Sequence, residues 1–367
     1  MKTIITTLLT ATLSVALSTA LAEDDSILAS LPSSPSLSVS TVPPNGDINP
    51  YGVAFVPHGF PGGMLAGGDV LVSNFNNNTN AQGTGSTIVR ISKSGGMSVF
   101  FQGPATPAGK LGLGLTTALG ALRRGFVLVG NLPTTNGMCT AIGSMNQGSL
   151  LVIDRTGTQV ANLTSPATLA GPWDLVIHDR GDHAQVFVSD VLSGMVVRLD
   201  VSVSEHNGVQ IQSATQIASG YMHRCDPNAL VVGPTGLAYD AEDDVLYVAS
   251  TGDNEIFAIA NARKTNHDDG MGTLIYQDNA HLRGPLALAL GGDGHLLTAN
   301  GDAVNTDPTH PSEIVEFTKS GKFVAQMPVN ASGIGGAFGL ALKGSDDEFR
   351  LAAVDDINNA LDVWIVR

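Results

Sequence analysis

From Gly233 to Ala260 the chain passes through three short apolar runs separated by polar turns. The runs are Gly236-Leu237-Ala238-Tyr239, Val245-Leu246-Tyr247-Val248-Ala249 and Glu255-Ile256-Phe257-Ala258-Ile259; the turns are 240–244 and 250–254. Short runs rich in β-branched and aromatic residues, bounded by Asp, Asn, Ser and Gly, predict an antiparallel meander. One meander leaves a hydrophobic face uncovered, so it requires neighbours of its own kind.

The pattern recurs along the chain. Further units open at Asn49-Pro50-Tyr51-Gly52-Val53-Ala54, Leu115 to Leu122, Gly171-Pro172-Trp173-Asp174-Leu175, Gly284-Pro285-Leu286-Ala287 and Ala337-Phe338-Gly339-Leu340-Ala341. The last unit ends one strand short. An isolated alternating stretch, Leu37-Ser38-Val39-Ser40-Thr41-Val42, has no partners of its own and supplies the missing strand. Closing the ring with this N-terminal strand leaves no open sheet edge. The expected fold is therefore all-β, a six-bladed β-propeller of four-stranded antiparallel blades spanning residues 37–367.

Composition agrees with many tight turns and few helices: 43 glycines stand against 18 lysines and arginines, and 43% of residues are hydrophobic. The net charge of −15 excludes a nucleic-acid partner, which requires a basic surface. Residues 1–22 read as a secretory signal peptide, with Lys2, an apolar stretch and Ala20-Leu21-Ala22 before Glu23. Residues 23–36, polar and holding Pro32 and Pro35, read as a linker. No later stretch is long and apolar enough to span a bilayer. The expectation is a secreted or periplasmic monomer, in which the two cysteines, Cys139 and Cys225, pair as a disulfide.

The long insertions fall in the loops on one face of the ring, here called the top. They include 75–86, 103–114, 132–148, 219–232, 301–312 and 327–336, and such one-sided insertions mark the binding face of a repeat protein. The second strands end at this face in Asn74, Asn131, Asp190, Ser250, Asn300 and Asp355. Amide and carboxylate oxygens in a ring suit a hard cation such as Ca2+. The same residue types also cap turns by bonding nearby backbone, and both readings stand at this point. His223, in a top loop, is a candidate general base, and Asp190 and Asp355 are candidate catalytic carboxylates. Trp173 reads as core or channel packing.

The motif P-x-G-[LV]-A, a turn, [LV]-[YL]-V-[AS]-[DNS] and a third strand resembles the NHL-type repeat over roughly residues 37–367. The layout is also similar to that of the gluconolactonase (senescence marker) family and the paraoxonases. That resemblance implies calcium held by Asn74, Asn131, Asp190, Asn300 and Asp355 at the strand ends. The chain departs from it where the gluconolactonase pattern has a metal-binding Glu at the opening of the first blade. Asn49-Pro50-Tyr51-Gly52 stands there, with Asp47 the nearest carboxylate. The departure favours an NHL-like propeller that binds a small molecule or protein on its top face. The alternative is a calcium-dependent lactonase or esterase, and a third reading is a redox enzyme holding a quinone on that face.

Overall fold

The innermost strand of every blade carries the same irregularity, and the repeat motif accounts for it. The computed structural model describes residues 26–104, 111–165, 167–345 and 348–366, so the signal-peptide segment lies outside the described residues. Six four-stranded antiparallel sheets are arranged as the blades of a propeller. Blade one holds Ile48–Phe55, Val70–Asn76, Thr87–Ile91 and Met97–Gln102. Blades two to five open at Leu115–Leu122, Pro172–Asp179, Pro234–Asp240 and Pro285–Leu290. Blade six holds Ala337–Ser345, Glu348–Asp355 and Ala360–Val366, and its fourth strand is Leu37–Ser40, paired Leu37 to Val363 and Ser40 to Ala360. The ring is closed by the N-terminal strand, as the lone alternating stretch predicts.

In each blade the pairing of strand one with strand two slips at a bulge near the start of strand one. The slips lie between Pro50/Val53, Leu115/Leu119, Pro172/Asp174, Pro234/Leu237, Pro285/Leu288 and Ala337/Leu340. Proline has no N–H to offer a ladder and is tolerated at a strand start or a bulge. The glycine of the motif lies where the backbone of the next blade passes. A Cβ on Gly52 would lie 2.7 Å from the Thr117 carbonyl oxygen, and one on Gly236 2.5 Å from the Ala287 carbonyl carbon. The P-x-G motif thus encodes contact between successive blades as well as a strand start.

The core follows the same logic, because it is divided into layers between neighbouring blades. Leu128, Leu150, Val188 and Val197 pack between blades two and three. Val72, Val89, Val354 and Leu361 pack between blades one and six. A separate cluster, including Tyr51, Phe75, Trp173 and Leu286, fills the centre towards the top.

Three features were not anticipated. The fourth strand of blade three runs Gly208–Ser219, well beyond Ala214–Ala218, with Val209 and Ile211 packed into the layer between blades two and three while Gln210, Gln212 and Ser213 face solvent. A two-stranded hairpin, Arg224–Asp226 with Leu230–Val232, forms within the top loop 219–232. The stretch expected as a polar linker is docked from Ser26 onward, and its short helix Ile27–Ser30 buries Ile27 and Leu28 against blades five and six.

Candidate functional site

The aromatic cluster closes the central channel a short way below the top face. Tyr51 stacks on Phe75 at 5.1 Å, meets Phe338 at 4.9 Å and meets Trp173 edge-on at 5.8 Å. Trp173, only 1% exposed, is channel packing, as the sequence suggests. Above this plug lies a cavity of about 440 Å3. Its walls come from blades one, five and six and from the 224–232 hairpin. Tyr51, Phe75 and Phe338 contribute the aromatic floor, and Asn49, Asn76, Asp302 and Asp356 are among the polar residues around it.

Local structure sets these polar side chains. Asn49 and Asp302 sit at φ 61° and 58°, a left-handed conformation that Asn and Asp tolerate. The Asn49 N–H is held by the Asn359 side chain at 2.9 Å. Asp302 accepts the N–H of Ser312 at 3.0 Å and of Gly335 at 2.8 Å through one oxygen, tying two top loops together. Its other oxygen, Oδ1, is buried with no protein donor. Asn76 donates to Asn80 and Gln82 donates to the Asn228 carbonyl, and the side-chain oxygens of Asn76 and Gln82 are likewise buried without a donor. A buried oxygen without a partner costs about 1–3 kcal/mol, so three around one cavity call for a compensating ligand or water.

Burial also acts on the carboxyls. It pushes Asp356 up to about 7, and the neighbouring charge of Asp355 adds to the rise while a bond from Asn49 opposes it. Burial raises Asp302 as well, against the two backbone N–H bonds that favour its charged form.

The strand-end residues named from the sequence occupy the expected strand ends, and the oxygens of Asn131, Asp190, Asn300 and Asp355 accept from neighbouring loops. Asn131 accepts the Gly114 N–H and Asn300 that of Arg283, each at 2.9 Å. Asp190 takes the N–H groups of Gly171, Leu192 and Ser193. Asp355 accepts from Asn330 and Asn358 through both oxygens. In this set only Asn74 keeps a side-chain oxygen without a donor, while its nitrogen bonds Thr41 and Thr87. Asp47, the substitute for the absent blade-one Glu, is engaged by Ser86 and Thr87. Asn131, Asp190, Asn300 and Asp355 are thus engaged within their loops, and a cation at these oxygens would compete with those bonds.

His223 is exposed, donates from Nδ1 to the Tyr221 carbonyl at 3.0 Å, and does not line the cavity. The cavity residues Asn76 and Asp302 stand two positions beyond the named Asn74 and Asn300, and Asp356 one beyond Asp355. A search for polar residues just past the strand ends would have found all three.

Cys139 and Cys225 form a disulfide with a Cα separation of 5.4 Å, closing 86 residues of chain. The bridge anchors the hairpin whose Asn228 and Ala229 line the cavity. Cys225→Ser is expected to cost about 2–4 kcal/mol in urea unfolding and to widen hydrogen exchange in 224–232. Unchanged stability and exchange would show that the hairpin is held by packing alone.

No protein-family model and no curated protein matches the sequence. Solved structures do share the fold. A gluconolactonase from Xanthomonas campestris aligns with TM-score 0.50 at 13% identity, over 87% of this chain and 86% of that one. A protein described as a putative oxidoreductase (glucose dehydrogenase) from Thermus thermophilus gives 0.50 at 12% identity, over 90% of this chain and 99% of that one. A chain of a mitotic checkpoint complex gives 0.54 at 10% identity, over 100% of this chain and 99% of that one. At such identities the likeness is one of fold, and it extends to proteins of unrelated roles. The chain is a six-bladed β-propeller, built on the fold that a gluconolactonase and a glucose dehydrogenase-like protein also use.

Proposed function

We propose that this protein binds a small hydroxyl-rich molecule, of the class of a sugar or sugar lactone, in the mouth of its central channel. The observation that carries the reading is the concentration of donor-less buried oxygens, on Asn76, Gln82 and Asp302, around a cavity with an aromatic floor. Acceptors without donors select a ligand rich in hydroxyls, and aromatic faces suit the C–H face of a sugar ring. A cavity of this size matches a small-molecule site. The shared fold of the Xanthomonas gluconolactonase makes a sugar lactone the first ligand to test. Export is supported by the leader-like segment 1–22 and by the disulfide, which persists in oxidising compartments. Among the described residues no helix is long and apolar enough to cross a membrane.

Calorimetric titration with glucose, gluconate and gluconolactone tests the reading. Asp302→Asn is expected to weaken the best ligand by about tenfold, the scale of one hydrogen bond to a charged group. Failure of all three to bind, or equal affinity in the variant, would refute it.

A second reading, a calcium-dependent lactone or ester hydrolase, is favoured by Asp356, whose carboxyl near 7 can exchange a proton at neutral pH. The fit to calcium is poor at the strand-end ring, where internal donors hold the oxygens, and better at the mouth, where Asp302, Asp356 and the amides of Asn49 and Asn76 offer hard oxygen ligands. When bound, such an ion would polarise a carbonyl. Elemental analysis and melting with and without chelator test for it; no metal and no chelator effect would remove this reading.

The elevated Asp356 also predicts a pH dependence with a definite sign. The folded protein holds a proton that the unfolded chain releases near 3.8, so this group's contribution to stability falls as pH rises from about 4 to about 7. Asp174, half-buried and also pushed up to about 7, acts in the same direction. Asp356→Asn is therefore expected to melt progressively higher than the parent as pH rises, with the gap levelling off above 7. Parallel melting curves of the two proteins from pH 4 to 8 would contradict it.

A further inference from the structure

We infer that the groove between blades three and four, on the bottom face, is a binding site for a polyatomic oxyanion, a phosphate or sulfate group. This site is separate from the channel mouth and does not depend on the reading of it.

The groove encloses about 500 Å3 and is lined by Arg180, His183, Gln185, Asp200, Arg263 and Lys264, among others. The lining holds three permanent cations and one carboxylate, with buried Asp244 behind Arg263 and Lys264, a cation-rich balance in a chain of net charge −15. The acids nearby already have partners. Asp200 accepts from Gln185 at 2.9 Å and from Ser213 at 2.8 Å, and lies 3.4 Å from buried Arg198. Asp179 takes the N–H of Arg123 and of Gly181, and Asp182 pairs with His183.

The cations are less well matched. The Arg180 guanidinium donates to the imidazole of His178 at 3.2 Å and forms no ion pair among the described residues. Lys264 stands 4.0 Å from Asp244 with 74% of its side chain exposed. Arg263 lines the groove with its Nε on Asp244 at 3.2 Å. Burial, then the charges of Arg180 and Arg263, hold the His178 imidazole below its usual range, against the opposing charges of Asp244 and Asp179.

The wall that presents them is rigidly built. The guanidinium of Arg198, 6% exposed, donates to the carbonyls of Ala262 at 3.1 Å and Thr265 at 2.7 Å, so it templates the loop that carries Arg263 and Lys264. The Arg263 N–H is fixed on Asp244, and Gln185 holds the Arg263 carbonyl at 3.1 Å. Like charges held together on a fixed frame repel one another, and the repulsion is relieved by an anion that accepts from several donors at once. A phosphate or sulfate group has the oxygens and the charge to do so.

The test is calorimetric titration of the full chain with inorganic phosphate, against sodium chloride at matched ionic strength. Phosphate is expected to bind and to raise the melting temperature, with no response to chloride. The double variant Arg180→Gln/Lys264→Gln is expected to bind phosphate at least about tenfold more weakly, and Arg124→Gln, a charge change in the neighbouring bottom cavity, to bind as the parent does. Equal responses to phosphate and chloride, or equal losses in both variants, would show general charge screening and overturn the proposal. Titration with a sugar phosphate and with a sulfated polysaccharide then identifies the carrier of the group by which binds more tightly than free phosphate. If neither does, the site takes the free ion.

Discussion

Glu316→Ala is expected to lower the stability of the folded protein by about 3–5 kcal/mol and to release the N-terminal segment from the ring. Glu316 is fully buried in blade five. Its two oxygens accept from Ser26 Oγ at 2.7 Å, from the N–H groups of Ile27 and Leu28 at 2.9 Å each, and from His295 Nδ1 at 2.6 Å. One carboxylate therefore caps the helix Ile27–Ser30 from a strand almost 290 residues away in sequence. Alanine removes the acceptor and leaves buried donors unsatisfied, which costs more than the net value of the bonds themselves. Urea unfolding should show the loss, and limited proteolysis should cut near residues 26–36 in the variant first. Asp182→Ala, at an ion pair whose side chains are 67% and 70% exposed, is expected to change little. If Glu316→Ala unfolds and digests like the parent, the segment is held by Ile27 and Leu28 alone.

The second large effect is at the seam of the ring. A Cβ on Gly339 would lie 1.9 Å from the carbonyl oxygen of Tyr51, a contact that only movement of backbone can relieve. Gly339 belongs to blade six and Tyr51 to blade one, so the movement opens the junction between the first and last blades. Overpacking of this kind costs about 1–3 kcal/mol or more. Tyr51 is also part of the cavity floor, so Gly339→Ala is expected to weaken ligand binding together with stability. Gly62→Ala is the control, since its Cβ would meet nothing within 4 Å. Equal melting temperatures for the two variants would show that the blades slide without cost and that the motif glycine is not needed for ring closure.

Much of the fold is legible in the chain because each blade is a local object. Strand, turn and strand follow one another closely in sequence, and alternation of apolar and polar residues reports which face is covered. The proline and glycine of the motif carry information one level higher, about the next blade, because they mark the bulge and the close approach. Ring closure is readable too, since Leu37–Ser40 is the one strand among the described residues without a local partner. The pairing of Cys139 with Cys225 follows from there being two cysteines on one face.

The candidate site is less legible, and the reason is geometric. Asn131, Asp190, Asn300 and Asp355 carry the chemistry of a metal ring, but side chains at strand ends can satisfy either their own loops or a ligand. Here the backbone N–H groups of those loops take the oxygens. The residues that do face the channel come from three blades, Asn49 and Asn76 from blade one and Asp302 and Asp356 just past the second strands of blades five and six. Glu316 and the bottom groove were equally hidden, for each is assembled from segments distant in sequence.

By itself, then, the sequence determined the blade, the number of blades, the closing strand and the face that carries the long loops, because periodicity and turn chemistry act over a few residues. Only the tertiary structure decided which polar groups are spent on holding the loops and which stand around the channel mouth. That division depends on how six separate loops converge on one axis, and no local pattern encodes it.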